Sequence, residues 1–228
     1  TMRRNHLAFA LLILPLAAAC GTVGYAVPGE LSSASPQPVS GRQGWQINQR
    51  ISFGAYSTDP VKRSFTRGNE ESGVFATDHG EYRQRYEFAL NRAGAKVADV
   101  SCVAEGSGAQ TLNVVWRSKR TLECDVNLAG GGLRTIMLES SRDRPLAGRV
   151  SGDPSFSVSG SNRTTGGPVT GTAGYTIARE GAAPVAAVDV TSGGAVIMQG
   201  GEDDAVAAVA AALLLYQDPL EASERFRS

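Results

Sequence analysis

The stretch EDDAVAAVAAALLLYQDP, residues 202–219, decides how this chain folds. Between Ala205 and Tyr216 it carries no charged residue on any side, whereas a helix at the surface of a soluble protein keeps one polar face. The acids at 202–204 suit a helix N-terminus and can cap it, and the Asp-Pro pair at 218–219 marks its end. A run of about a dozen residues is too short to cross a bilayer, which needs about 20. The helix is therefore buried on every face, and the economical place is the inside of a closed sheet.

The chain before this helix is expected to form strands, because apolar and polar residues alternate along it and glycine-containing turns separate the segments. We predict a mainly β fold, a closed antiparallel barrel of about 11–12 strands around the C-terminal helix. The alternatives are a β-sandwich, or a lipocalin-like barrel with a peripheral helix. The strongest alternation is at 45–53, 85–90, 111–117 and 121–128, and the weaker segments are 61–67, 96–105, 133–140, 155–159, 173–179, 184–191 and 194–199. The side chains predicted to form the core helix are Ala205, Val206, Val209, Leu213, Leu214 and Leu215.

Two stretches near the end of the chain carry a family resemblance. GYTIAREGAAPVAAVDV, residues 174–190, followed by AVAAVAAALLLYQ, residues 205–217, resembles the end of the tubby-like barrel, which phospholipid scramblases and LURP-one-related proteins share. The resemblance implies a 12-stranded closed sheet around a C-terminal helix. Some members bind phosphoinositide head groups through clustered Lys and Arg. No run in this chain matches that site, so the resemblance implies no binding residue here.

The first segment has the composition of an export signal. Arg3 and Arg4 form a positive region, and an apolar stretch follows from Leu7 to Ala19. As a helix this stretch would span only about 20 Å, which is short of the roughly 30 Å of a hydrocarbon core. Small residues then lead into Cys20. We therefore predict a cleaved signal peptide over residues 1–19 rather than a membrane span.

The sequence PLAAACGT, residues 15–22, resembles the lipobox of bacterial lipoproteins, in which a cysteine after small residues is acylated and becomes the mature N-terminus. The family prefers Leu three residues before the cysteine, where this chain has Ala17. Gly21 follows the cysteine in place of the aspartate that tends to retain lipoproteins at the inner membrane. The resemblance implies palmitate-type lipidation at Cys20 and an outer-membrane location facing the periplasm. The alternative is an ordinary signal peptide with Cys20 incidental.

The composition of the chain predicts its domain boundaries, and its net charge limits its partners. Residues 27–44 are rich in Ser, Pro and Gly, so we predict a lipidated N-terminus and flexible tether over 20–44 that holds the domain about 25–30 Å from the bilayer. The β-domain with its helix is predicted over 45–217, and a tail over 218–228. The formal net charge of the 228 residues is zero, which argues against nucleic acid as a partner.

Cys102 and Cys124 remain as a pair once Cys20 is lipidated, and an even pair in an exported protein indicates a disulfide. Such a bridge would contribute about 3 kcal/mol. There is a geometric objection, because a strand at 111–117 would lie between them and hold them about 10 Å apart, beyond the limit of about 7 Å. Either that segment is displaced, or the sheet curls sharply, or the thiols are free. We predict the bridge.

No established catalytic, metal or nucleotide motif occurs in the sequence, so we predict no catalytic residue, no metal and no cofactor. His79 has acidic neighbours, but a single imidazole does not make a typical zinc site, and we interpret it as a loop histidine. The acids at 202–204 are interpreted as a helix cap rather than a calcium site. Arg117, Lys119 and Arg120 are interpreted as one solvated hairpin turn, although they could touch anionic head groups.

These observations predict a membrane-anchored envelope lipoprotein whose β-domain is not an enzyme and serves in binding or in structural or assembly work. The alternative function is a carrier of lipid or another apolar ligand, which requires an empty lumen and the helix outside the barrel. An enzyme with a dispersed active site is the third hypothesis. The membrane is the one partner that the sequence indicates. The sequence identifies no protein ligand and no lipid ligand.

Overall fold

The computed structural model describes residues 24–42, 48–67, 71–72, 77–111, 114–142, 144–200 and 203–219. Within these ranges the chain forms strands β1 to β16, one 3-10 turn and one α-helix, α1. The bounds are 3-10 turn Gly29–Leu31, β1 Gln37–Pro38, β2 Ser52–Phe53, β3 Tyr56–Thr58, β4 Lys62–Arg67, β5 Glu71–Ser72, β6 Thr77–Arg92, β7 Ala95–Thr111, β8 Val114–Leu128, β9 Leu133–Ser141, β10 Ala147–Ser151, β11 Phe156–Ser161, β12 Arg163–Thr164, β13 Gly167–Pro168, β14 Gly174–Arg179, β15 Pro184–Asp189, β16 Ala195–Met198 and α1 Asp204–Leu215.

Twelve strands form one antiparallel sheet that curls into a nearly closed barrel, in the order β1-β16-β15-β14-β11-β10-β9-β8-β7-β6-β3-β2. The strands β4 and β5 pair with β6 beside this path. The two edges of the sheet meet where Ser40 and Ser52 exchange backbone hydrogen bonds of 2.9 and 3.1 Å. A barrel of this kind leaves little free strand edge. The prediction of a mainly β barrel around a C-terminal helix is confirmed, and the β-sandwich alternative is wrong.

Helix α1 runs along the inside of the barrel. Asp203 caps its N-terminus, because one carboxylate oxygen accepts from the backbone N–H groups of Ala205 and Val206 at 3.0 and 3.1 Å. Every residue from Ala205 to Leu215 is buried. The runner-up architecture with a peripheral helix is therefore wrong. We name the two mouths of the barrel after the helix termini, the Asp204 end and the Leu215 end.

Side-chain size explains how a helix fits here. Alanine occupies most positions of α1 through Ala212, which keeps the helix narrow, while three consecutive leucines at 213–215 fill the space near its C-terminus. The surrounding strands contribute inward aromatic and branched side chains such as Tyr86, Val126 and Ile177. Burying each leucine contributes about 1.5–3 kcal/mol relative to exposure. Helix and sheet thus form one core.

The predicted tether is wrong over residues 24–42, because this segment packs on the barrel and supplies β1. Leu31 is 1% exposed, and Tyr25 and Val39 are also buried. Arg42 donates to the carbonyl oxygens of Val190 and Leu214 at 2.7 and 3.2 Å. The Ser, Pro and Gly content concealed these anchors, because they are isolated apolar residues without a period. The folded domain therefore includes Gly24 and does not begin at residue 45.

Two predicted strands are one. Residues 114–117 and the segment 121–128 fall in a single strand, β8, which pairs with β7, and Thr111 is the last residue of β7. The polar residues around Lys119 look like a turn by composition, but there the ladder continues, with Lys119 opposite Ser107. Since no strand lies between β7 and β8, the two cysteine-bearing strands are direct neighbours.

Candidate functional site: the polar end of the barrel

The two cysteines on the barrel's inner face are placed for a disulfide. Cys102 of β7 and Cys124 of β8 are register partners, with Cα atoms 4.0 Å and sulfur atoms 2.14 Å apart. Both side chains are buried in the core cluster that contains α1. The objection raised from the sequence was wrong because no separate strand lies between the two cysteines: Thr111 ends β7 and residues 114–117 begin β8.

Removing both cysteines by Cys102→Ala and Cys124→Ala should lower the free energy of unfolding by about 3 kcal/mol, since the bridge closes a loop with a sequence separation of 22. Urea denaturation of the purified domain under oxidising conditions measures the change. The matched control is the outward-facing pair one register position away, Ser101→Ala with Asp125→Ala, which should stay within about 0.5 kcal/mol of the parent. Equal midpoints for the two double variants would contradict a bridge.

Polar side chains converge on the C-terminus of α1, where the Ala212 oxygen accepts from the Tyr216 N–H at 2.9 Å and the last carbonyl groups of a helix generally lack intrahelical partners. The Tyr86 hydroxyl donates to the oxygen of Ala212 at 2.9 Å, and Arg63 Nη2 donates to the oxygen of Leu215 at 2.8 Å. Arg42 supplies the third donor, to Leu214. Cations at a helix C-terminus also interact favourably with the helix dipole. These contacts fix the depth of the helix in the barrel.

Burial shifts the pKa values of the tyrosine and arginine side chains around the C-terminus of α1. The Arg63 guanidinium lies over the Tyr86 ring, 5.2 Å from its centroid. Desolvation raises the pKa of the Tyr86 hydroxyl well above its ordinary value, and it raises the pKa of Tyr175 to about 12. Desolvation lowers the pKa of Arg42 and Arg63. At neutral pH both hydroxyls are therefore protonated, and that of Tyr86 can donate to the Ala212 oxygen.

Arg120 is buried, which corrects the interpretation of a solvated basic turn. It forms an ion pair with Asp218 at 3.2 Å, in which both side chains are 8% exposed. It also donates to the Ser140 hydroxyl and to the carbonyl oxygens of Arg142 and Arg144. Lys119 is exposed, because successive residues of a strand face opposite sides. The Arg117 side chain lies outside the described residues.

The same ion pair shifts the predicted boundary of the tail. Asp218 is held inside the barrel, and Pro219 beside it is buried. Gln217 accepts a hydrogen bond from Gln84 Nε2 at 3.3 Å. The folded domain therefore extends through residue 219, and the rest of the predicted tail lies outside the described residues.

The Asp204 end is secured by a second, smaller polar group. Asp204 accepts from the Tyr56 hydroxyl at 3.1 Å and forms an ion pair with Arg92 at 3.3 Å. Burial together with this contact raises the pKa of Tyr56. Asp203 and Asp204 thus act as a cap and an anchor for α1. Glu202, the third acid of the predicted cap, lies outside the described residues.

His79 lies in strand β6, opposite Glu71, so its assignment to a loop was wrong. The strand was missed because the polar residues around it show no alternation. Its side chain lies outside the described part of the molecule. Among the described residues, no group of three or more His, Cys, Asp or Glu side chains is arranged to hold a metal ion.

Two shallow grooves lie on the outer wall of the barrel. The larger, about 510 Å³, runs beside Lys96 and Asp99, which pair at 2.8 Å. The smaller, about 370 Å³, includes Arg83 and Glu105, paired at 3.1 Å. Exposed ion pairs of this kind contribute about 0–1 kcal/mol and exchange readily with a partner's groups. The grooves can therefore accept polar contacts from outside the barrel.

Sequence reasoning missed the polar layer at the Leu215 end. One signal was available, because Arg120 has the same parity along its strand as Leu122, Cys124 and Val126, the predicted inner face. The predicted lipidation site, Cys20, lies outside the described residues. Within the described ranges, no helix combines the length and apolar character needed to cross a membrane.

Comparison with protein-family models, curated proteins and solved structures finds no match to this chain. The architecture agrees with what the tubby-like resemblance implied, a 12-stranded sheet around a C-terminal helix. Membership of that family remains a hypothesis that rests on the pattern of elements alone.

Proposed function

We propose that the chain is a membrane-anchored envelope lipoprotein whose β-domain acts through its outer surface, as a binding or assembly module without catalysis. The observation that carries this proposal is the occupied lumen. Most barrels that transport a small molecule hold it inside, whereas here α1 is buried within the sheet from Ala205 to Leu215.

The polar groups of the interior support the same conclusion. The side chains of Arg42, Arg63 and Tyr86 donate to carbonyl oxygens of α1, and Arg120 pairs with Asp218 just beyond it. These side chains form hydrogen bonds or an ion pair within the protein, and they hold its own helix in place. Contacts with other molecules are left to the outer wall, where the grooves and the exposed charged residues lie.

The membrane anchor is supported by the lipobox-like sequence ending in Cys20 and by the apolar signal before it. A cysteine pair in disulfide geometry suits an oxidising compartment such as the periplasm. A single acyl chain binds a membrane only marginally, whereas two or more anchor stably. We therefore propose an outer-membrane anchor with the barrel facing the periplasm.

Replacing the lipidation site by Cys20→Ala should abolish acylation and membrane attachment. In a bacterial host fed labelled palmitate, the parent chain should carry label and enter the membrane fraction, and the variant should do neither. The matched control is Cys102→Ala with Cys124→Ala, which removes the other two cysteines and should keep the label. An unlabelled parent chain would overturn the proposed anchor.

The carrier hypothesis is tested with a fluorescent fatty-acid analogue added to the purified domain. A filled lumen predicts no saturable one-to-one uptake. Tight stoichiometric uptake would replace the proposed role with that of a lipid carrier. The enzymatic hypothesis would be supported if the domain hydrolysed ester, phosphate or peptide substrates at a rate well above that of a heat-inactivated control.

A further inference from the structure

We infer that the short hairpin of β12 and β13, residues 162–169, is the face of the domain that lies against the lipid head groups, an inference that rests on the anchor proposed at Cys20. We call these residues the junction hairpin. Its strands pair Arg163 with Pro168 and Thr164 with Gly167, separately from the main sheet.

The start of the described chain is fixed to the junction hairpin. The Ala26 N–H donates to the Arg163 oxygen at 3.1 Å, and the Thr165 N–H donates to the Gly24 oxygen at 3.0 Å. Tyr25, between these contacts, is 5% exposed and its N–H donates to Asp189 at 3.0 Å. Wherever Gly24 is held, the junction hairpin is held too.

The chain between the anchor and Gly24 is short. From Cys20 to Gly24 there are only four peptide links, which reach at most about 15 Å at 3.8 Å between successive Cα atoms. The 20–44 tether predicted from the sequence would have held the domain at an average distance of about 25–30 Å, and could have extended several times further than about 15 Å. Because residues 24–42 are packed on the barrel, an acylated Cys20 would hold the junction hairpin close to the bilayer surface.

The position of the hairpin in the barrel orients the domain. It connects β11 to β14 at the Leu215 end, the end where Arg42 joins the carbonyl oxygens of Val190 and Leu214. Leu133 begins β9 at the opposite, Asp204 end. The nine-residue strand β9 alone runs about 30 Å between the two ends. The Asp204 end should therefore face away from the membrane.

The chemistry of the hairpin suits a head-group layer. Arg163, Thr165 and Pro168 are exposed, and Val169 is a large apolar side chain that is 37% exposed. From Ser155 to Ala178 the chain has no acidic residue and one base, Arg163. A cation with small polar neighbours is compatible with anionic phospholipids, whereas acids would be repelled.

The test places a nitrobenzoxadiazole probe on the acylated full chain at Val169→Cys or at Leu133→Cys, which is 54% exposed in the parent. The protein is reconstituted in vesicles of phosphatidylethanolamine and phosphatidylglycerol that contain a head-group nitroxide lipid. The nitroxide should quench the probe at position 169 and leave the probe at position 133 nearly unaffected. Thr165→Cys, in the exposed turn of the hairpin, is the second labelling site and should behave like position 169.

A variant with a longer spacer tests whether the short chain between Cys20 and Gly24 holds the hairpin at the membrane. Inserting about 30 Gly and Ser residues before Gly24 adds a coil of about 30 Å and should reduce the quenching at position 169 towards that at position 133. Mass spectrometry of the Cys20 peptide separates the possible failures. An unmodified Cys20 overturns both the anchor and the orientation. An acylated Cys20 with equal quenching at the two positions, or with none at 169, overturns the orientation alone.

Discussion

Ala208→Asp should remove most of the stability of the domain. Ala208 lies in the middle of α1 at 0% exposure, and its neighbours along the helix are equally buried. A carboxylate placed there would lose its hydration without gaining a partner, at a cost of several kcal/mol. Domains of this size have a total stability of about 5–15 kcal/mol. Thermal and urea denaturation followed by circular dichroism should show a large drop in both midpoints.

The matched control is Ala129→Asp, because Ala129 is exposed in the turn between β8 and β9 and should tolerate the same charge within about 0.5 kcal/mol. Ala208→Leu keeps the position apolar but overfills it, and should cost about 1–3 kcal/mol. This milder variant keeps the test informative if the aspartate variant yields no soluble protein. Midpoints close to the parent for both position-208 variants would mean that α1 is not enclosed.

Arg120→Met should cost about 3–5 kcal/mol, the range for removing one partner of a buried ion pair. The substitution keeps most of the side-chain volume but takes the positive charge away from Asp218. It also removes the donor to Ser140 and to two backbone carbonyl groups of the turn before β10. Urea denaturation at neutral pH measures the loss.

Two further variants serve as comparisons for Arg120→Met. Lys119→Met alters the neighbouring exposed pair with Glu139, 3.7 Å apart, and should cost less than about 1 kcal/mol. Adding Asp218→Asn to Arg120→Met removes the buried negative charge and should recover part of the loss. If Arg120→Met and Lys119→Met cost the same, the buried pair does not hold the end of the chain inside the barrel.

The architecture was predictable because two local signals agree. A helix that is apolar on every side, residues 205–215, needs an enclosure, and alternating segments supply a sheet that can close around it. Both signals act within a dozen residues, so the sequence contains them directly. The strand lengths were less accessible, since β8 continues through polar residues whose pairing partners lie on β7 and β9.

The polar end of the barrel and the docked N-terminal segment depend on distant parts of the chain. Arg42 reaches Leu214, a sequence separation of 172, and Tyr86 reaches Ala212, a separation of 126. No window of sequence contains both members of such a pair. Leu31 was concealed for a similar reason, since one buried leucine among Ser and Pro has no period to reveal it.

The order of elements along the chain has a consequence for biogenesis. Helix α1 is the last element described, so all the described strands emerge during synthesis before the segment that fills their lumen. A nascent chain that lacks residues 204–215 would enclose an unfilled apolar space, and stable closure must await the synthesis of α1. Late completion of this kind is compatible with the export proposed above, because a chain that crosses a membrane through a secretion channel has to remain unfolded in transit.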